Sequence, residues 1–186
     1  MGKKIEGNQY PAFRPPDRAE RTALNRAFNN WGVFEEMRDF EILIKAVGSR
    51  TFVHVVSKEL SKIAPPLRTV HFGLEIGELS KRFLPNIAGA DLFARLDGSK
   101  RQPTRYLTVS REAENLVLYG RDVLGESIVN ASAGLKENEL VILLNPEGEG
   151  IGIGRTRVQG NRLKEAGTAT VTTIADAGQY LRDEGA

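Results

Sequence analysis

The sequence predicts an α+β protein, with a mixed N-terminal domain built on an antiparallel sheet and a small β pseudobarrel after it. Helical and strand-like segments alternate in the first half, whereas the second half holds several short strands within ~80 residues. The charge also changes along the chain. Up to Arg105 there are 18 Lys and Arg against 12 Asp and Glu, and beyond it 8 against 12. A basic half followed by an acidic half indicates two domains with different surfaces.

The first predicted element is a helix that follows a polar lead-in. Residues 1–13 end among prolines and are expected to be mobile. Asp17 and Glu20 have the spacing of a capping box and predict where the helix begins. Gly32 stands where such a helix is expected to end.

The rest of the N-terminal half carries strand and turn signals, mainly apolar runs bounded by glycine, serine or proline. Asp-Gly is a strong signal for a hairpin turn. The predicted elements are a hairpin of Phe40–Val47 with Thr51–Val56, a short helix capped by Ser57, a strand at Val70–Ile76, and a second hairpin of Ala90–Leu96 with Arg105–Val109 around Asp97-Gly98.

The second half is predicted to be mostly strand, because its apolar runs are short, rich in β-branched residues and separated by glycine and proline. Such a series is typical of a small barrel. The predicted elements are strands at Asn115–Tyr119, Glu139–Leu144, Gly150–Gly154 and Gly167–Ile174, and a polar helix from Asp176 to Leu181.

Composition argues against catalysis. Cysteine is absent, which excludes disulfides and thiolate chemistry. The two histidines, His54 and His71, share no readable constellation with a carboxylate or a nucleophile. We therefore expect no catalytic residue, no metal site, no cofactor and no small-molecule substrate; the protein is predicted not to be an enzyme. No stretch approaches the ~18 apolar residues of a membrane span, and the first residues lack a signal-peptide core, so a cytoplasmic protein is expected.

Glycines at alternate positions from Gly148 to Gly154 superficially resemble a phosphate-binding loop. No Lys-Ser or Lys-Thr pair follows them, and no strand–turn–helix unit with a downstream acid surrounds them. The segment is instead predicted to be a tight hairpin and a strand whose small residues allow another backbone to approach closely.

Basic residues follow this strand with no acid among them between Ile151 and Lys164. Strand alternation would place two arginines on the face of Ile153, so we expect the strand to leave the core or bulge near Gly154. Guanidinium groups match phosphate oxygens and stack on bases, which makes this cluster a candidate RNA-binding site. A solvated strand end with incidental charges remains the alternative. The four cations are Arg155, Arg157, Arg162 and Lys164.

A second basic cluster surrounds the predicted Asp97-Gly98 turn. It is a secondary candidate for RNA contact, and an ordinary solvated surface is the favoured alternative. Its members are Arg95, Lys100, Arg101 and Arg105.

Residues 115–186 resemble the PUA domain, an RNA-binding pseudobarrel found in RNA-modifying enzymes and in ribosome-assembly proteins. Three motifs in a fixed order carry the resemblance: Leu118–Leu124, then Leu140–Leu143 with Gly150–Thr156, and finally Gly167–Arg182. By position, the resemblance implies that the four cations after Gly154 contact RNA. It also implies that Gly120 lets the backbone approach RNA, and Arg121 beside it is a further RNA-binding candidate.

Motifs in the N-terminal half make the resemblance more specific. They are Arg14-Pro15-Pro16, Val55–Leu60, and Phe72-Gly73 with Gly77 before Leu79-Ser80-Lys81. With the PUA motifs, they resemble archaeal counterparts of the eukaryotic 60S ribosomal-subunit biogenesis proteins. This implies an α/β pre-PUA domain at 14–110 and a PUA domain at 111–186. It also implies RNA binding in pre-rRNA processing and large-subunit assembly, with pre-ribosomal RNA and ribosome-assembly proteins as partners.

Two other functions remain open from the sequence. One is an RNA-modifying enzyme whose catalytic domain precedes the PUA domain. The other is a protein-interaction adaptor whose PUA domain no longer binds RNA. Salt-sensitive RNA binding would distinguish our prediction from the adaptor, and turnover on RNA would identify the enzyme.

Overall fold

The computed structural model describes residues 12–62, 71–96, 104–179 and Arg182 of the chain. Their arrangement confirms the predicted α+β class, with a four-stranded antiparallel sheet and a six-stranded mixed sheet. The helices are α1 (Arg18–Trp31), α2 (Lys58–Ser61), α3 (Ile87–Leu96) and α4 (Arg111–Leu118). The strands are β1 (Phe40–Val47), β2 (Arg50–Ser57), β3 (Leu74–Leu79), β4 (Phe83–Pro85), β5 (Tyr106–Val109), β6 (Val123–Leu124), β7 (Ile128–Ala131), β8 (Leu140–Leu144), β9 (Gly150–Thr156) and β10 (Ala169–Asp176).

Helix α1 begins and ends as the sequence predicts. The Asp17 carboxylate accepts a hydrogen bond from the Glu20 amide at 2.8 Å, and the Glu20 carboxylate accepts one from the Asp17 amide at 2.8 Å, which completes the capping box. Gly32 ends the helix in the left-handed conformation with φ 76°. The buried face of the helix, which includes Leu24 and Phe28, packs into the core of the N-terminal half.

The first sheet has the strand order β1-β2-β3-β4. The predicted hairpin is confirmed, since β1 and β2 pair antiparallel from Phe40 opposite Ser57 to Val47 opposite Arg50. Ser57 caps α2 as predicted, accepting a hydrogen bond from the Leu60 amide at 3.3 Å.

The second sheet has the order β6-β10-β9-β8-β5-β7 and curls around its own apolar core as a nearly closed pseudobarrel. Strand β5 lies parallel to β8 and antiparallel to β7. Residues 106–109 therefore belong to the second sheet, whereas the sequence placed them before the PUA domain. The predicted domain boundary at 110 and 111 stays a prediction.

The two halves share one continuous core. Tyr106, Ile142 and Ile153 of the second sheet pack in the same cluster as Phe28 of α1 and Phe93 of α3. The contact is closest where α3 crosses β9. A Cβ atom on Gly150 would lie 2.8 Å from the Asp91 Cα, so only glycine fits there without a shift of the backbone. This confirms the expectation that small residues in the strand allow a close backbone approach.

The prediction of a strand at Ala90–Leu96 was wrong, because this segment lies within helix α3. Two of its buried residues, Ala90 and Phe93, are three apart and share one helical face. A short, mostly apolar run does not distinguish a strand from a buried helix. The hairpin with Arg105–Val109 is consequently absent, and β5 pairs with β7 and β8 instead.

The prediction of a strand at Asn115–Tyr119 was also wrong, because most of this segment belongs to α4. The Ser110 side chain caps the helix, accepting a hydrogen bond from the Ala113 amide at 3.4 Å. Ala113 and Val117, one turn apart, are its buried residues. The apolar run read as a strand is the C-terminal part of this amphipathic helix.

Other predicted elements differ in their limits. Strand β3 begins at Leu74, since residues 71–73 are not in a strand, while Val70, where the strand was predicted to begin, lies outside the described residues. Asp176 ends β10 instead of opening a helix. The lead-in up to residue 11 and the segment 97–103, with the Asp-Gly turn, lie outside the described residues. None of the helices described is long and apolar enough to cross a membrane.

We expect Gly150→Ala to destabilise the protein, because the added methyl would meet the Asp91 backbone rather than a mobile side chain. Overpacking of this kind costs about 1–3 kcal/mol, more than the ~0.5–1 kcal/mol gained when alanine replaces glycine in a regular element. Chemical unfolding of the variant should show a lower midpoint at an unchanged slope. A midpoint equal to that of the wild type would contradict the close packing of α3 on β9.

His54 provides a pH-dependent test of the N-terminal core. It is 3% exposed, and neither ring nitrogen has a hydrogen-bond partner in the described part of the chain. Burial lowers the pKa of His54 to about 4, and the positive charge of Lys45 adds to this effect. The Glu75 carboxylate lies 3.7 Å from His54 Nε2, and His71 is a further neighbour.

Stability should fall as the pH drops from about 6.5 toward 4, because the unfolded chain binds a proton at His54 that the folded chain does not. The loss reaches about 3 kcal/mol at most. His54→Leu removes two unsatisfied polar atoms, so it should be neutral or stabilising at pH 7. It should also make the stability less dependent on pH between about pH 5 and 6.5. Thermal melts across this range provide the measurement, with His71→Gln at an exposed position as the control. Parallel pH profiles for His54→Leu and the wild type would refute the assignment.

Candidate nucleic-acid interface

Two arginines, Arg155 near the end of β9 and Arg157 directly after it, lie at the surface. Gly154 is buried and Arg155 is exposed, while Thr156 between the two arginines is fully buried. The Thr156 hydroxyl donates a hydrogen bond to the Lys136 carbonyl at 2.6 Å and accepts one from the Glu139 amide at 2.9 Å. The face of β9 that carries Ile153 thus becomes exposed at Arg155, whereas Thr156 on the other face stays buried and holds the loop that precedes β8.

Two of the four predicted cations are engaged in ion pairs. The Arg157 guanidinium donates to the Asp122 carboxylate at 2.5 Å and to the Thr172 hydroxyl at 2.6 Å. Arg162 pairs with Glu165 at 2.8 Å. Both pairs are partly exposed, so each contributes about 0–1 kcal/mol and can exchange with another anion. The carboxylates nevertheless stay nearby and repel a phosphate that approaches these arginines.

The other two predicted cations have no carboxylate partner among the residues described. Lys164 donates from Nζ to the Val129 carbonyl at 2.6 Å. Arg155 donates from Nη1 to the Asn138 carbonyl at 3.3 Å. A carbonyl leaves the positive charge of its donor uncompensated, so the charges of Arg155 and Lys164 are less neutralised than those of Arg157 and Arg162.

Lys164 lines a surface cavity of about 730 Å3, which we call the loop cavity. Its lining contains a second lysine and several amide and hydroxyl side chains but no carboxylate. Amide groups can bind base edges, and ammonium groups can bind phosphates. The lining residues are Asn130, Ala131, Ser132, Ala133, Gly134, Leu135, Lys136, Gln159, Gly160, Asn161, Leu163 and Lys164.

Gly120 and Arg121 follow α4. Gly120 has φ 72°, and a Cβ atom added there would lie 3.3 Å from Asp176 Oδ2. Arg182 forms two hydrogen bonds to the Asp176 carboxylate, at 3.0 and 2.8 Å, so an ion pair lies beside the glycine. Arg121 is exposed, and its carbonyl accepts a hydrogen bond from the Thr173 hydroxyl at 2.8 Å.

The secondary candidates do not form one cluster within the described chain. Arg95 lies on α3 and pairs with Asp91 at 2.9 Å. Lys100 and Arg101 fall outside the described residues. Arg105, just before β5, lines a groove between the two halves together with Arg155. The structure therefore unites two arginines that the sequence placed in separate clusters.

The sequence analysis missed the other cations of this groove, which come from α1 and from the turn between β3 and β4. Arg26 stands apart from the adjacent pair Lys81 and Arg82, and no spacing in the sequence relates them to the β9 cluster. It also missed Lys136, whose role in the loop cavity depends on the fold of the loop. The missed groove residues are Arg26, Lys81 and Arg82.

Neither cavity has the composition of a metal centre, and no group of three or more His, Asp or Glu side chains in the described part of the chain could hold a metal ion. The surface offers guanidinium, ammonium, amide and hydroxyl groups, which together suit a polyanion carrying hydrogen-bonding bases.

Known proteins share this architecture. A hypothetical protein of Pyrococcus horikoshii aligns with a TM-score of 0.66 at 18% identity, over 94% of this chain and 99% of the other. A conserved PUA domain protein of Thermoplasma acidophilum aligns with a TM-score of 0.64 at 14% identity, over 93% and 99%. These likenesses show the fold.

The sequence relationship is closer and identifies the family. Residues 105–185 match the UPF0113 PUA domain, and the PUA domain is a known RNA-binding fold. A UPF0113 protein of Archaeoglobus fulgidus is 31% identical over 175 residues, which covers 93% of this chain and 96% of that protein. The chain therefore belongs to the UPF0113 family and carries its PUA domain in the C-terminal half.

Proposed function

We propose that this protein is a non-catalytic RNA-binding factor of ribosome assembly, which acts in the cytoplasm in pre-rRNA processing and large-subunit assembly. Pre-ribosomal RNA and ribosome-assembly proteins are its proposed partners. The observation that carries the RNA-binding part is Lys164, a cation without a carboxylate partner that lines a cavity rich in amides. Arg155 is a second such cation, in the groove between the two halves. The resemblance of the whole chain to pre-PUA and PUA proteins supports the ribosomal role.

The loop cavity suits single-stranded RNA better than a duplex. Specific RNA recognition mostly uses unpaired bases, whose edges accept and donate hydrogen bonds to amide side chains. The cavity provides such groups at Asn130, Gln159 and Asn161, with Lys136 and Lys164 at its margin. We therefore propose that this cavity holds one or more unpaired bases while the lysines bind the backbone.

The environment of His54 supports a non-catalytic role. His54 is buried against the Phe13 ring, 4.9 Å away between ring centroids, so a substrate has no access to its nitrogens. A general base needs to reach the proton that it removes. Turnover of transfer or ribosomal RNA by the purified protein alone would contradict this part of the proposal.

Removing the two cations without carboxylate partners should weaken RNA binding more than removing the two paired ones. For Arg155→Ala with Lys164→Ala, the slope of log affinity against log salt concentration should become shallower by roughly 1.4, because each lost contact to a single strand removes about 0.7. Arg157→Ala with Arg162→Ala is the matched control, because it removes the same charge. It should change the slope by less than half as much, since Asp122 and Glu165 already neutralise these arginines.

Filter binding of an unstructured RNA across a salt series provides the measurement. The quadruple variant, with alanine at Arg155, Arg157, Arg162 and Lys164, gives the binding that remains without these cations. A quadruple variant that binds as the wild type does would place the RNA site elsewhere. A wild-type protein without salt-sensitive RNA binding would favour the adaptor. In cells, crosslinks to RNAs other than ribosomal precursors would contradict the ribosomal role.

A further inference from the structure

A groove of about 620 Å3 runs between the two halves of the molecule, and we call it the interdomain groove. One wall comes from α1 and the turn between β3 and β4, and the other from β8, β9 and the residues flanking them. Five cationic side chains line it, and its one carboxylate is Glu139. The lining residues are Ala23, Arg26, Ala27, Asn30, Trp31, Lys81, Arg82, Phe83, Leu84, Arg105, Asn138, Glu139, Leu140 and Arg155.

Tertiary contacts hold the two walls in place. Thr104, between α3 and β5, donates from its hydroxyl to the Asn30 carbonyl at 2.7 Å and from its amide to the Trp31 carbonyl at 3.2 Å. These bonds tie the start of the second sheet to the end of α1. The adjacent Arg105 carbonyl accepts a hydrogen bond from the Ile142 amide at 2.9 Å. Arg105 is thus fixed between the halves, close to the wall that carries Arg26.

The positive charge of the groove is largely uncompensated. Glu139 is already engaged, lying 3.5 Å from Arg105 and accepting the Lys136 amide at 2.9 Å. Arg26, Lys81 and Arg82 are exposed and have no side-chain partner among the residues that the structure describes. Elsewhere in the second half most arginines pair with Asp or Glu, as Arg111, Arg157, Arg162 and Arg182 do. Unpaired cations facing each other across a groove mark a surface for an anion.

The shape and lining of the groove favour a single-stranded nucleic acid. A cavity of this size admits individual nucleotides but not a double helix. Leu84 is 47% exposed and offers an apolar surface to a base, while guanidinium planes can stack on bases and bind phosphates. A positively charged groove that follows the backbone is the common solution for binding single strands.

We propose that the interdomain groove binds single-stranded RNA, so that one strand contacts both the PUA domain and the N-terminal domain. This inference rests on the proposed RNA-binding function and extends it to Arg26, Lys81 and Arg82. Arg155 lines the groove and not the loop cavity, but the loop from Ser132 to Leu140 contributes residues to both surfaces. A strand bound in the groove contacts both halves, so the complete site is longer than the PUA domain alone provides.

The test compares two triple variants of the full chain that lose the same charge. Arg26→Ala, Lys81→Ala and Arg82→Ala remove the N-terminal wall of the groove. The control variant carries Arg18→Ala, Lys58→Ala and Lys62→Ala, which lie outside the groove and are also exposed. All six side chains are on the surface, so both variants should melt as the wild type does.

Fluorescence anisotropy with oligouridylates of about 4 to 16 nucleotides measures binding. For long oligomers, the groove variant should lose roughly 100-fold in affinity at about 0.1 M salt, and its salt slope should flatten by about 2, as expected for three lost contacts. The control should stay within about twofold of the wild type. For the shortest oligomers the groove variant and the wild type should bind alike, because these occupy the PUA domain alone.

Each other outcome has a distinct meaning. If long RNA binds the wild type tightly and the two triple variants bind it equally, the groove is not an RNA site although the proposed function stands. If poly-glutamate binding depends on the groove while RNA binding does not, the ligand is an acidic protein segment and the proposal is overturned. If the wild type binds no RNA, the proposed function itself fails.

Discussion

The packing of α3 against β9 determines where the charged side chains of both halves lie. Gly150 permits this contact, since any side chain would displace the α3 backbone at Asp91. Phe93 is fully buried on the same helix and joins the apolar clusters of the two sheets. Because packed interiors are dense and do not deform continuously, a shared core of this kind fixes the walls of the groove between the halves.

Ion pairing, more than the number of basic residues, distinguishes the candidate surfaces. Arg155 lies on β9 and Arg157 directly follows the strand, yet Arg157 pairs with the Asp122 carboxylate whereas Arg155 donates to a carbonyl. A phosphate gains little at Arg157, because it must displace a carboxylate that remains close. At Arg155 it meets a charge that nothing in the described structure neutralises, which explains why neighbouring arginines are not equivalent.

The sequence predicted correctly those elements whose caps and turns depend on neighbouring residues. The capping box of Asp17 and Glu20 and the hairpin around Gly48 depend on residues a few positions apart. Helix α3 was missed because an apolar run such as that around Phe93 suits a strand or a helix equally until its packing partners are known. The groove was missed for a related reason. Arg26 and Arg155 meet only through the shared core, and no spacing in the sequence records such a contact.

The acidic net charge of the second half is compatible with RNA binding because charges act locally. At about 0.1 M salt the Debye length is ~10 Å, so a phosphate responds mainly to the charges nearest to it. The ion pairs of Arg111, Arg162 and Arg182 act as small dipoles at that distance rather than as net charges. The cations of the groove come from both halves and face a single carboxylate. Folding thus turns a chain of nearly balanced charge into a surface with a strongly positive groove.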